Sequence, residues 1–159
     1  MASYNINDNL LLRKIIMQHY EHPKNKVCFV QDEINYLSYH NTTEGCGDDI
    51  TVYVKLNHQK IIDVVFLGTG CAISISSTDI ICELVKNLDL NNALELINNY
   101  LNMIEGLDYN KDIMQELIAF YNVKKQMNRI RCARIGASAL KMCLKQCTDK
   151  HKTIVNKSL

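Results

Sequence analysis

Two apolar runs followed by an abrupt change of period constrain this chain more than any other feature. Ile50, Val52, Val54 and Leu56 alternate with Thr51, Tyr53 and Lys55, the period-two pattern of a strand with one buried face. Asn57, His58 and Gln59 form a short polar break, and Ile61, Ile62, Val64, Val65, Phe66 and Leu67 follow, so the two runs read as an antiparallel hairpin. Beyond Gly68-Thr69-Gly70 the period becomes helical, with Cys71, Ile75, Thr78, Cys82 and Val85 recurring on one face. The glycines mark the strand-to-helix corner.

The flanks extend this frame. Leu11, Leu12, Ile15, Ile16 and His19 predict a first helix over Asp8 to Tyr20, with Asp8 or Asn7 as its cap and Pro23 beyond its end. Val27 to about Tyr39 is β-like but irregular and supplies a third strand. Helical stretches are predicted over Leu90 to Met103, Asp112 to Tyr121 and Arg129 to Cys147. Strands first and helices afterwards give an α+β fold: a small three-stranded antiparallel sheet packed against about five helices. Residues 1–147 form one domain in this reading, and 148–159, polar and lysine-rich, a frayed C-terminal tail.

Composition narrows the function classes. With 47% hydrophobic and 22% charged residues, 159 residues match a single soluble domain. A net charge of +1 offers no electrostatic footprint for nucleic acid or an anionic membrane, and no apolar stretch approaches the roughly 20 residues of a membrane span. A cytoplasmic protein without nucleic-acid or membrane partners is expected. Seven cysteines, odd in number and far apart, argue against a disulfide framework and for metal or thiol chemistry.

Three corners carry that chemistry. In Glu44-Gly45-Cys46-Gly47-Asp48-Asp49, Cys46 and Asp48 can converge on one ion if Gly47 turns the chain, or the segment is a polar turn with an incidental thiol. In Gly68-Thr69-Gly70-Cys71-Ala72-Ile73-Ser74, the thiol at a helix start is favoured as a thiolate, or packs as a small apolar group. In Asn128-Arg129-Ile130-Arg131-Cys132-Ala133-Arg134, Cys132 falls in the expected first turn of the last helix among arginines. Arg129, Arg131 or Arg134 can offset the charge of an anionic ligand set, or form a solvated basic face. Cys143 and Cys147 stand one helical turn apart as a metal pair or as packing and surface groups, Cys28 and Cys82 read as small buried residues, and the five histidines are scattered.

Taken in order, Cys46-Gly47-Asp48, Gly68-Thr69-Gly70-Cys71-Ala72-Ile73-Ser74 with Ser76-Ser77, and Arg129-Ile130-Arg131-Cys132-Ala133 resemble the IscU/NifU-N-like iron–sulfur cluster assembly scaffold family, specifically its SufU branch. Tyr20-Glu21-His22-Pro23-Lys24-Asn25 is similar to the ending of that family's first helix. The resemblance implies ligands Cys46, Asp48, Cys71 and Cys132 meeting at one exposed end, with zinc as the bound ion. Arg131 stands where the cluster-building scaffolds have a histidine, the segment between Cys71 and Cys132 looks longer than theirs, and no Leu-Pro-Pro-Val-Lys stretch is present. These departures point to the SufU branch.

That branch implies a zinc-dependent sulfurtransferase working with a PLP-dependent cysteine desulfurase of the SufS type and with downstream iron–sulfur assembly proteins. A side chain of the docked desulfurase displaces Cys46 from the metal, and the freed thiolate accepts persulfide sulfur, so Cys46 is the expected catalytic residue. Two alternatives share the ligands: a scaffold that builds an iron–sulfur cluster, with iron or the cluster in place of zinc, and a structural zinc domain serving interaction.

Overall fold

A computed structural model describes the backbone of residues 4–157 and the side chains of residues 4–149. The first helix, α1 (Asn9–Glu21), starts where the Asp8 carboxylate accepts from the Leu11 N–H at 3.0 Å, and it buries Leu12, Ile15 and His19 on one face. Pro23, two residues past its end, cannot continue it.

The irregular β-like stretch resolves into two different structures. Val27 N–H donates to the Phe66 carbonyl at 2.9 Å and Phe66 N–H donates to the Asn25 carbonyl at 3.0 Å, a single parallel bridge. A 3-10 turn over Glu33–Asn35, entered through Asp32 in the left-handed region, separates it from the first strand, β1 (Leu37–Thr42). The third strand therefore begins later than the residue pattern implies.

β2 (Asp49–Asn57) is central, pairing antiparallel with β1 and with β3 (Lys60–Thr69); Leu37 faces Val54 and Val52 faces Phe66. Ile50, Val52 and Val54 are fully buried on the face that α2 (Ala72–Val85) and α4 (Met127–Lys157) cover. On the other face Tyr53 is buried edge-on against Tyr36, with ring centroids 6.4 Å apart, so the irregular segment shields that side. α3 (Leu90–Glu105), capped by Asp89 and ended by left-handed Gly106, packs on α4.

Two expectations need correction. The predicted helix over Asp112 to Tyr121 is instead a pair of 3-10 segments, Lys111–Ile113 and Gln115–Lys125. Its buried residues include Met114, Leu117, Phe120 and Val123, spaced three apart, a stripe that stays on one face only at three residues per turn. The last helix runs to Lys157 rather than fraying from Thr148, because no glycine or proline follows Gly136 and each further residue adds a backbone hydrogen bond. Ser158 and Leu159, the end of the expected tail, lie outside the described residues.

One buried polar cluster ties α1, α2 and the longer 3-10 segment together. His19 Nδ1 lies 2.6 Å from Asp79 Oδ2, and its Nε2 lies 2.6 Å from Glu116 Oε2. Asp79 also accepts from the Asn25 N–H at 2.7 Å, and Asn25 Oδ1 accepts from Lys86. Both ring nitrogens face carboxylates, which suits the doubly protonated imidazolium. The hydrogen bond to Asp79 raises the His19 pKa most, burial opposes it, and Glu116 raises it further. A histidine whose folded pKa exceeds its unfolded value stabilises the fold fully below the unfolded pKa and loses that contribution as pH rises through the folded pKa. Denaturation followed as pH rises above the unfolded histidine pKa should show falling stability, and His19→Gln should flatten the fall; an unchanged slope in the variant removes His19 as its source.

Candidate metal centre

The site stands where three chain corners meet. Asp48 is 1% exposed at the start of β2, and its Oδ1 accepts from the Cys71 N–H and from the Ser74 hydroxyl, each at 3.0 Å. Its Oδ2 is buried and has no hydrogen-bond partner among the described residues. A carboxylate oxygen removed from water without a donor is costly unless a cation meets it.

Cys71 caps α2: its Sγ accepts from the Ser74 N–H at 3.5 Å while its side chain stays exposed. Gly70 permits this corner, since a Cβ there would stand 2.2 Å from Ser74 Oγ and 2.9 Å from Asp48 Oδ1. Gly68 performs the same service one step earlier, at φ +137, where a Cβ would fall 1.9 Å from the Asp49 carbonyl oxygen.

Cys132, 4% exposed, comes from the second turn of α4 rather than the first, because the helix already starts at Met127, where the Gln126 carbonyl accepts from the Arg129 and Ile130 N–H groups. Ligand atoms of Asp48, Cys71 and Cys132 lie within 4.8 Å of one another, the only such group of His, Cys, Asp and Glu among the described residues. Burial, then the neighbouring Asp48 side chain and the closeness of Cys71 and Cys46, push the Cys132 thiol far above the ordinary thiol range. A divalent cation would reverse this balance, and two thiols with one carboxylate form a donor set suited to zinc.

Cys46 stands apart from that trio. It is exposed, in a loop whose Gly45 and Gly47 take φ +84 and +71, with no atom within 4 Å of where a Cβ on either would stand. Cys46 nevertheless contributes to the upward shift of Cys132, so it stands near that thiol. The loop is closed at its base, where the Thr43 N–H donates to the Asp48 carbonyl at 3.0 Å.

The remaining candidates separate. Arg134 pairs with Glu105 on α3 at 3.3 Å instead of serving the ligands, and Arg129 and Arg131 are exposed. Cys28 is exposed, not buried, because its segment runs along the sheet's outer side; Cys82 and Cys143 are in the core, and Cys147 is partly buried against it. Ser74, which holds Asp48, was not singled out from the sequence, although its place three residues after the capping Cys71 is a capping spacing.

Comparison with known proteins agrees with this geometry. The family model described as the NifU-like N terminal domain matches residues 11–154. The chain is 33% identical over 139 residues to the zinc-dependent sulfurtransferase SufU of Bacillus subtilis, covering 87% of this chain and 92% of that one. It is 32% identical over 129 residues to the iron–sulfur cluster assembly scaffold protein IscU of Streptococcus pyogenes, covering 79% of each. The crystal structure of a SUF-system scaffold protein from Fervidobacterium islandicum AW-1 superimposes with a TM-score of 0.75 at 28% identity, over 87% of this chain and 99% of that one. No described helix is long and apolar enough to cross a membrane. A three-stranded sheet with its helical cover, three converged side chains of metal-binding types and a family match over most of its length make this chain a member of the NifU-like N-terminal domain family of iron–sulfur cluster assembly proteins.

Proposed function

We propose that the protein is a zinc-dependent sulfurtransferase that takes persulfide sulfur from a cysteine desulfurase onto Cys46 and passes it into iron–sulfur cluster assembly in the cytoplasm. The observation that carries this reading is the division of the site: Asp48, Cys71 and Cys132 converge on rigid elements, while Cys46 waits exposed on a two-glycine loop. Asp48, Cys71, Cys132 and Cys46 would hold the ion. Bound zinc supplies a positive charge that keeps a coordinated thiol deprotonated at neutral pH.

Each residue then has a distinct task. Asp48 is oriented by the Cys71 amide and the Ser74 hydroxyl, both on Oδ1, which leaves the buried Oδ2 without a donor and free for the ion. Cys71 and Cys132 sit on helices that pack against the sheet and each other, so they anchor. The Cys46 thiolate, swung out by its loop, attacks the outer sulfur of the desulfurase persulfide; the Cys46 sulfur–sulfur bond forms as the desulfurase bond breaks, and the desulfurase thiolate leaves. The relationship to the Bacillus subtilis sulfurtransferase supports zinc and the sulfur relay.

Incubation with a SufS-type, PLP-dependent desulfurase and cysteine, followed by mass-spectrometric mapping, should find persulfide on Cys46. Cys46→Ala should lose sulfur acceptance by at least about a hundredfold, and a variant that still accepts sulfur and stimulates the desulfurase rejects the proposal. A second reading, assembly of a cluster on the same residues, is favoured by the identity to the Streptococcus pyogenes scaffold. Protein purified without added metal should carry one equivalent of zinc; iron, with a stable cluster after anaerobic reconstitution, would select the second reading.

A further inference from the structure

Beside the metal centre lies a cleft of about 380 Å³ between the end of β1 and α4. Thr43 and Glu44 on its loop wall open the same loop that carries Cys46, and Arg131 on its helix wall directly precedes Cys132. Arg134, one turn along, also borders it.

The charges of this cleft are arranged for a dipolar guest. Arg134 is already offset by Glu105 at 3.3 Å. Arg131 and Glu44 have no ion-pair partner among the described residues and reach the cleft from different chain elements, one cation and one anion. The Ser138 hydroxyl, on the same helix wall, is buried without a hydrogen-bond partner. A phosphate or other multiply charged anion would suit Arg131 but would be repelled by Glu44, whereas a molecule carrying both a carboxylate and an ammonium satisfies both walls. The volume is that of a small-molecule site.

We infer that this cleft binds a free amino-acid thiol, with cysteine as its simplest form, and presents that thiol to sulfur held on Cys46. This inference rests on Cys46 being the sulfur carrier. The bound thiolate attacks the outer sulfur of the Cys46 persulfide. A new sulfur–sulfur bond forms to the acceptor, the Cys46 Sγ–sulfur bond breaks, and Cys46 leaves as thiolate. The proton on the terminal sulfur stays with the product, a small-molecule persulfide, and no net oxidation occurs. The protein thereby gains a second outlet for sulfur, to a diffusible acceptor.

The test uses protein with zinc bound and Cys46 charged by inorganic polysulfide, the charging verified by mass spectrometry. Sulfur release is timed with cysteine, with cysteamine, which lacks the carboxylate, and with 3-mercaptopropionate, which lacks the ammonium. Each rate is divided by that of a Glu44→Gln/Arg131→Gln double variant, which removes intrinsic differences between thiols. Cysteine should be favoured over each partial analogue by about tenfold, the effect of one charge-assisted contact. Arg131→Gln should abolish its advantage over cysteamine, and Glu44→Gln its advantage over mercaptopropionate, with Arg131→Lys keeping part of the former. Serine, the zwitterion without the thiol, should compete in the wild-type protein, an arm that needs no variant. Equal normalised rates for the three thiols, or no competition by serine, overturn the cleft assignment alone; failure of Cys46 to take up sulfur at the charging step overturns the function beneath it.

Discussion

Replacing Gly136 with alanine is expected to lower the stability of the fold by about 2 kcal/mol, although glycine is a poor helix former and alanine the best. The propensity gain is roughly 1 kcal/mol in a helix interior, and overpacking a tight contact costs about 1–3 kcal/mol or more. The geometry decides for the loss. A Cβ at Gly136 would stand 2.2 Å from Thr78 Oγ1 and 2.7 Å from both Thr78 Cβ and Cγ2, and Thr78 is itself fully buried on α2 with its hydroxyl bonded to the Ser74 carbonyl at 2.7 Å. Neither helix can yield without moving the other. Since α2 begins at Cys71 and α4 carries Cys132, a separation of these helices also widens the ligand cluster. Gly136→Ala should thus show both a lower denaturant midpoint and weaker zinc binding, and Thr78→Ala in the same chain should recover part of each. A variant with a higher midpoint means the helices are not held at this contact.

The second large effect concerns Asp48, where two substitutions should part company. Asp48→Asn keeps an acceptor for the Cys71 amide and the Ser74 hydroxyl but puts an NH2 group in place of the unpartnered Oδ2. Zinc affinity, measured by competition with a chelating dye, should fall by about a hundredfold or more, while the metal-free fold should be as stable as wild type or more so, because a buried charge has been removed. Asp48→Ala should lose the affinity and in addition about 1–3 kcal/mol of metal-free stability, mainly for the stranded Cys71 N–H. Ser74 suffers less, as its hydroxyl also lies 3.0 Å from the Cys71 carbonyl and can turn to it. Asparagine that binds zinc as tightly as aspartate would show that Oδ2 is no ligand.

Periodicity served the sequence reading well where side chains repeat at the spacing of their element. The hairpin from Ile50 to Leu67 follows the alternation closely, and α1 takes the cap that Asp8 offers. It misled where the spacing admitted two periods. Met114, Leu117 and Phe120 alone stay near one side of an α-helix, and only the fourth member, Val123, with the packing against α3 and α4, selects three per turn. β1 was misplaced because its register is set by pairing with β2 and its own alternation is weak: Leu37–Thr42 alternates only between half-buried and exposed positions, with none fully buried.

At the site, the residue types and corners were legible, but their separations were not. Nothing in the spacing of Asp48, Cys71 and Cys132 says that three ligand atoms come within 4.8 Å, because that closeness depends on Gly70 and on the approach of α2 to α4. Arg134 was misjudged for a similar reason: its partner Glu105 lies on another helix, beyond the reach of local charge patterning.

The 3-10 segment Gln115–Lys125 also has a mechanical consequence. At about 2.0 Å of rise per residue against 1.5 Å for an α-helix, it reaches about a third farther along its axis for the same number of residues. It acts as a strut of fixed length between α3 and the start of α4, and its stripe of Met114, Leu117, Phe120 and Val123 is buried along it. Rewinding into an α-helix would shorten the strut and turn each successive contact of the stripe, three residues on, about 60° out of line. A change of chain length is therefore absorbed more readily in the exposed turn at Gly106–Asn110 than anywhere along the strut.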